Sequence, residues 1–148
     1  MALNLMIDSN VVLDMFLERA PFFSMSVRAI SLSKSYNVNH FISASSVTDI
    51  YYLTNKSLKN NQVVRELFQI LFEFVKVVDV TAEDIQKAFA LNWSDFEDSV
   101  QYAVAASNNF DGIVTRNMKG FEGFEVKIYT PEEICEYVEK NLEERAYD

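Results

Sequence analysis

A chain of 148 residues with 49% hydrophobic and 14% aromatic side chains has the material for one buried core and fits a single domain over residues 1–148. Its net charge of −9 argues against a broad basic surface for nucleic acid, and seven acids against two bases between Glu132 and Asp148 carry much of that excess. No run of 18 apolar residues occurs, which excludes a membrane-spanning helix, and one cysteine, Cys135, excludes an internal disulfide.

The opening stretch, MALNLMIDSNVVLD, has no basic flank, and acids interrupt its apolar residues, so no secretory leader is expected. Together with the single cysteine, this gives the expectation of a soluble cytoplasmic protein. The only histidine, His40, is distant from Cys135 in sequence, so neither a cysteine nucleophile nor a Cys/His zinc site is expected.

In chain order, Leu3 to Ile7 is a short apolar run ending in Asp8, a buried strand. Asn10 to Leu17 reads as helix. Pro21 stands where a second helix can start, and Phe23, Val27 and Ile30 give Phe22 to Tyr36 helical spacing. Asn39 to Ile42 is a short strand, Ser46 to Thr54 a helix, and Val63 to Val75 a longer amphipathic helix. Lys76 to Val80 is a strand, and Thr81 caps a helix that runs to Leu91. Ser94 to Ser107 is another helix. Gly112 to Thr115 and Glu125 to Tyr129 are short strands. Thr130-Pro131-Glu132-Glu133 is a helix start with a capping Thr, Pro at the first position and Glu at the third; that helix runs toward Arg145.

Strands alternating with helices predict a three-layer α/β/α domain with a mainly parallel sheet. Ligands of such sheets sit beyond the carboxyl ends of the strands. Four polar clusters fall there: Asp8-Ser9-Asn10, Ser43 to Asp49, Asp95 to Asp98, and Thr115-Arg116-Asn117. Asp111 precedes its strand and belongs at the opposite edge.

Each acid also has a bland role. Asp8 can cap the helix after it. Asp49 lies three residues after Ser46, at capping-box spacing. Ser94 and Glu97 make a Ser-x-x-Glu box, which assigns Glu97 to the cap and leaves Asp95 and Asp98 on one helical face. Caps contribute about 1 kcal/mol each, whereas two carboxylates about 5 Å apart repel by roughly 3 kcal/mol at an effective dielectric near 20. Three converging acids would therefore cost more than caps return unless a cation lay between them. An all-oxygen set favours Mg²⁺ or Mn²⁺ over zinc, and metal-assisted phosphodiester hydrolysis suits such a site.

The ordered set IDSNVVLD, DFEDSVQYAVA, DGIVTRNMKGF and YTPEEI resembles the PIN domain, the nuclease fold of VapC-type toxins, over nearly the whole chain. The resemblance implies a parallel sheet with Asp8 at the end of its central strand. It implies that Asp8, Asp49 and Asp98 hold Mg²⁺ or Mn²⁺, with Asp95 an accessory acid at the rim. Thr115 and Asn117 match the fourth motif, which makes Asn117 a catalytic candidate. Ser9, Asn10, Thr115 and Arg116 are the candidate substrate contacts, with Lys56, Lys59 and Lys119 as further bases near the same edge. The implied activity is RNA cleavage without a covalent intermediate. The implied partners are a separate antitoxin protein and a second copy of the chain, the homodimer forming through early helices that carry Phe16, Phe22 and Phe23.

The chain departs from the family pattern at three places. Asp49 replaces the more usual Glu, Asn117 supplies no charge, and Gly120 stands where Asp is common. The weakened fourth motif and the net charge of −9 support the alternative of a catalytically weak or inactive PIN-like RNA-binding module. A phosphatase is disfavoured because Asp8-Ser9-Asn10 lacks a second Asp two residues on. A receiver domain is disfavoured because no paired acids precede Asp8 and no Lys follows a late strand.

Overall fold

The computed structural model describes residues 2–121, 123 and 125–146; Asp148, the last acid of the C-terminal run, lies outside them. Among the described residues, five strands form one parallel sheet: β1 (Leu3–Ile7), β2 (Val38–Ser43), β3 (Val75–Val78), β4 (Gly112–Val114) and β5 (Lys127–Tyr129), in the order β3-β2-β1-β4-β5. The connecting helices are α1 (Ser9–Phe16), α2 (Phe23–Ile30), α3 (Ala44–Leu58), α4 (Asn61–Leu71), α5 (Ala82–Leu91), α6 (Phe96–Ser107) and α7 (Pro131–Asn141).

The twofold alternation of the strands divides the core between two faces. Leu5 and Ile7 of β1 and Val114 of β4 pack into one cluster with side chains of α1 to α4 and α7. Met6 and Ile113, the alternate residues, pack into a second cluster with α5 and α6. The predicted three-layer α/β/α arrangement is therefore the observed one. No helix among the described residues is long and apolar enough to cross a membrane.

From β1 the chain steps outward to β2 and β3. It then crosses by α5 and α6 to the other side of β1 and continues into β4 and β5. The reversal lies between β1 and β4, where a crevice opens at the carboxyl edge. Ile7 is in register with Val114, and the Asp8 amide donates to the Val114 carbonyl at 2.9 Å, so Asp8 and Thr115 leave the sheet side by side. Asp111 sits at the other edge, accepting from the Asn4 amide at 2.7 Å.

The caps of α5 and α7 are as expected: Thr81 with Asp84 and Thr130 with Glu133 form reciprocal boxes. Several boundaries differ from the sequence reading. α2 ends at Ile30 and tightens into a 3₁₀ turn over Ser31–Lys34; Ser31 Oγ donates back to the Val27 carbonyl, the kind of local bond that weakens a helix. α4 stops at Leu71, because Val75 is already paired with His40 in the sheet. α7 stops at Asn141.

Two corrections concern the acids. Ser43, not Ser46, caps α3, its Oγ accepting from the Ser46 amide at 3.2 Å. Asp49 then falls beyond the first turn and does no capping. In α6 the cap is Asp95, whose Oδ1 accepts from the Asp98 amide at 3.1 Å. That moves Glu97 to the second helical position, out of reach of a Ser94 box. A carboxylate at the cap also complements the helix dipole, which the Ser94 hydroxyl does not.

Candidate functional site

The crevice is a cleft of about 430 Å³ lined by Asp8, Ser9, Asn10, Leu13, Asp49, Tyr52, Leu53, Asp95, Glu97, Asp98 and Asn117. β1 and the start of α1 supply one wall, α3 a second and the start of α6 a third. Of the residues singled out in the sequence, Asp8, Ser9, Asn10, Asp49, Asp95, Asp98 and Asn117 meet here. Lys56 and Lys59 lie at the far end of α3, and Lys119 in the turn after Asn117.

Asp8 is held from three sides. Its Oδ1 accepts from the Ser9 amide at 2.8 Å and from Gln101 Nε2 at 3.5 Å, and its Oδ2 accepts from Thr115 Oγ1 at 2.8 Å. Burial nevertheless raises its pKa, opposed by these hydrogen bonds, with the charge of Asp95 adding to the rise. Thr115 is fully buried, and its hydroxyl is itself surrounded. It accepts from Asn10 Nδ2 at 3.3 Å and from the Asn117 amide at 3.2 Å while donating to Asp8. Thr115 therefore orients Asp8 from beneath the cleft rather than lining it.

Glu97, read from the sequence as a cap, lines the cleft instead. Its Oε1 accepts from Ser9 Oγ at 3.2 Å, and its pKa is raised by desolvation first and then by the charges of Asp8, Asp49 and Asp95. Asp98 is pushed up to about 7, by desolvation first and then by Asp8, Asp95 and Glu97. Part of that desolvation comes from Gly120: a β-carbon there would collide with Asp98 Oδ2, so the bare backbone lies against the carboxylate. A side chain at position 120 would therefore require the Asp98 carboxylate to swing aside.

Arg116 stands apart from the cleft. Its guanidinium grips the fully buried Asp14 through two hydrogen bonds of 2.7 and 3.2 Å and lies over the Phe22 ring at 4.3 Å. Its amide donates to Asn10 Oδ1 at 3.2 Å. Arg116 ties the end of β4 to α1. Phe16 is buried in the core and Phe22 sits under Arg116, so both aromatics already have partners within the chain.

Sequence reasoning missed Gln101, Asp14, and the cleft-lining Tyr52 and Leu53. Gln101 carried a signal, being three residues from Asp98 on the same helical face. Asp14 carried one as an acid within an otherwise apolar helix.

Among the described residues, no three acidic, His or Cys side chains are preassembled around one point at ligand distance. What the cleft offers is a hard, all-oxygen donor set in which burial first, and the neighbouring acids next, raise the pKa values of Asp8, Glu97 and Asp98. Such a set fits Mg²⁺ or Mn²⁺, since a divalent cation would relieve that repulsion.

Comparison with known proteins agrees with this architecture. The profile of the PIN domain family matches residues 4–119. Ribonuclease VapC1 of Aquifex aeolicus (strain VF5) is 28% identical over 137 residues, covering 88% of this chain and 92% of the relative. VapBC2 from Rickettsia felis, solved bound to a DNA fragment from its promoter, superposes with a TM-score of 0.71 at 16% identity over 86% of this chain and 98% of that one. A toxin–antitoxin complex from Klebsiella pneumoniae gives 0.64 at 18% identity, over 85% and 96% of the two chains. VapC20 of Mycobacterium tuberculosis, a toxin that cleaves the sarcin-ricin loop, gives 0.60 at 16% identity, over 82% and 92%. With the family profile spanning most of the chain and the acids meeting at the sheet's switch point, this chain belongs to the PIN domain family.

Proposed function

We propose that the protein is a metal-dependent ribonuclease of the VapC type, the toxin of a toxin–antitoxin pair. The observation that carries the reading is the meeting of Asp8, Asp49, Asp95, Glu97 and Asp98 in one cleft, with Asp98 raised to about 7 by burial and by its neighbours. A cluster under that repulsion is costly in a protein that only needs to fold, and useful in one that binds a cation.

In this reading Asp8, Asp49 and Asp98 hold Mg²⁺ or Mn²⁺, and Asp95 and Glu97 add charge at the rim. The ion, when bound, lowers the pKa of water and neutralises phosphate oxygens. Thr115 keeps Asp8 in its rotamer, and Asn10 keeps Thr115 in place. Ser9 and Asn117 offer neutral hydrogen-bonding groups to a phosphate or sugar. Water attacks phosphorus, the phosphorus–oxygen bond to the next nucleotide breaks, and no enzyme–substrate bond forms.

An RNA substrate is supported by the names of the VapC1 and VapC20 relatives. A separate antitoxin is supported by the toxin–antitoxin complexes among the structural neighbours. The exposed Tyr52 and Leu53 on the cleft wall give such a partner apolar surface. A homodimer belongs to the same proposal.

The test is cleavage of a mixed RNA pool with Mn²⁺ or Mg²⁺ by wild type and by Asp8→Asn. Cleavage by wild type alone, lost on chelation, is the expected result. Cleavage of equal rate by both proteins refutes the site. RNA binding without cleavage at any metal concentration favours the inactive binding module.

A further inference from the structure

Gln101 is only 1% exposed and lies on α6 one turn after Asp98. Its Nε2 donates to Ser46 Oγ at 2.8 Å and reaches Asp8 Oδ1 at 3.5 Å. Ser46 Oγ is in turn 2.8 Å from the Oγ of Ser43, the cap of α3. One amide therefore spans the three elements that carry the acids: α6 with Asp98, β1 with Asp8 and α3 with Asp49. The reverse amide orientation would set Oε1 against a carboxylate, acceptor facing acceptor, so the donors are fixed on the Asp8 side.

That orientation leaves Oε1 buried without a hydrogen-bond partner among the described residues. An orphaned buried carbonyl lowers stability, and an apolar side chain of similar volume would fill the space without that loss. Against that loss stand the hydrogen bond to Ser46 Oγ and the contact with Asp8, so what the glutamine adds is a pair of donors aimed at the α3 wall and the carboxylate.

We infer that Gln101 is a positioning residue, holding the Asp8 carboxylate and the α3 wall in register for a divalent cation. The inference rests on the metal-dependent reading above. It predicts that function and stability part company when the amide is removed.

The experiment compares wild type with Gln101→Met for thermal midpoint, for binding of Mn²⁺ alone by calorimetry, and for kcat and KM on RNA. The expected variant melts close to the wild-type temperature, the lost bond to Ser46 offsetting the removal of the orphaned carbonyl; it binds Mn²⁺ about tenfold more weakly and loses kcat with KM unchanged. A lower melting temperature with unchanged Mn²⁺ affinity overturns the inference and makes Gln101 a packing residue. Ser46→Ala guards against a variant that fails to fold: it removes the anchor but not the amide. A smaller loss of Mn²⁺ affinity supports the inference, and no loss overturns it. Wild type that binds no Mn²⁺ refutes the metal reading itself. The contact is then decided by a double-mutant cycle of Gln101→Met with Asp8→Asn in urea unfolding. Coupling beyond about twofold in the unfolding constant supports the hold of Gln101 on the Asp8 carboxylate, and additivity overturns it.

Discussion

Replacing Asp98 by Asn should stabilise the metal-free protein above neutral pH and abolish its response to divalent metal. The Asp98 carboxyl rises from 3.8 to about 7, because it is packed against Gly120 and faces Asp8, Asp95 and Glu97. A fully buried group so displaced would cost the folded state about 4 kcal/mol when ionised. This one is partly open to the cleft, and screening brings the figure to roughly 2 kcal/mol. The folded-state pKa is raised, so the folded protein binds the proton more tightly than the unfolded chain. Stability is therefore lost as pH climbs from about 4 through 7, and the full penalty is present above that. Asn carries no such penalty. In thermal melts with a chelator at pH 8, Asp98→Asn should melt about 4–8 °C above wild type for a domain of this size. The gap should shrink at pH 5 and vanish near pH 4. Adding Mn²⁺ at about 100 times its dissociation constant should raise wild type by the equivalent of about 2.7 kcal/mol and the variant by far less. Equal melting temperatures at pH 5 and pH 8, with equal responses to Mn²⁺, would refute the claim that these acids repel one another across a cation site.

Glu97→Gln should weaken Mn²⁺ binding and cleavage while leaving the melting temperature at pH 8 unchanged or higher, since Glu97 lines the cleft and Asp95 does the capping; a fall in melting temperature with full activity would return Glu97 to a structural role. His40 is buried on β2, and desolvation lowers its pKa from 6.5 to about 4. About 3 kcal/mol of stability, present above pH 6.5, should drain away as pH falls toward 4. His40→Leu should flatten that acid limb in urea titrations between pH 7 and 4.5, and an unchanged limb would assign it to other groups. Arg116→Met strands the buried Asp14 carboxylate, leaving it, among the described residues, only Arg19 at 3.6 Å, and should cost about 3 kcal/mol in urea unfolding. A variant of normal stability that has lost RNA binding would instead make Arg116 a substrate contact.

Local chemistry wrote much of this molecule into the sequence. The short apolar runs beginning at Leu3, Asn39 and Gly112, alternating with helical stretches along the chain, were enough for a parallel sheet with helices on both faces. Asp8 was visible as the residue that follows a strand, Asp49, Asp95 and Asp98 as acids near helix starts, and the PIN motifs supplied their grouping. Thr81 and Thr130 announced their helices because a capping box is closed within four residues. The same local logic misled at α6, where two overlapping starts, Ser94 with Glu97 and Asp95 with Asp98, differ by one residue. The structure takes the second, where a carboxylate meets the helix dipole, and with that start Glu97 moves from helix end to site.

What the sequence by itself determined is therefore the layering of the fold, the edge at which the polar clusters lie and the all-oxygen character of that edge. The tertiary structure decided which polar groups serve and which are served. Thr115 went beneath Asp8, Arg116 was committed to Asp14, Gly120 was pressed against Asp98, and Gln101 was strung between β1 and α3. These contacts join residues 22 to 107 positions apart, and their formation depends on a sheet order that reverses at β1. Hydrogen bonding and desolvation act over a few ångströms of space, so no periodicity or spacing along the chain records them.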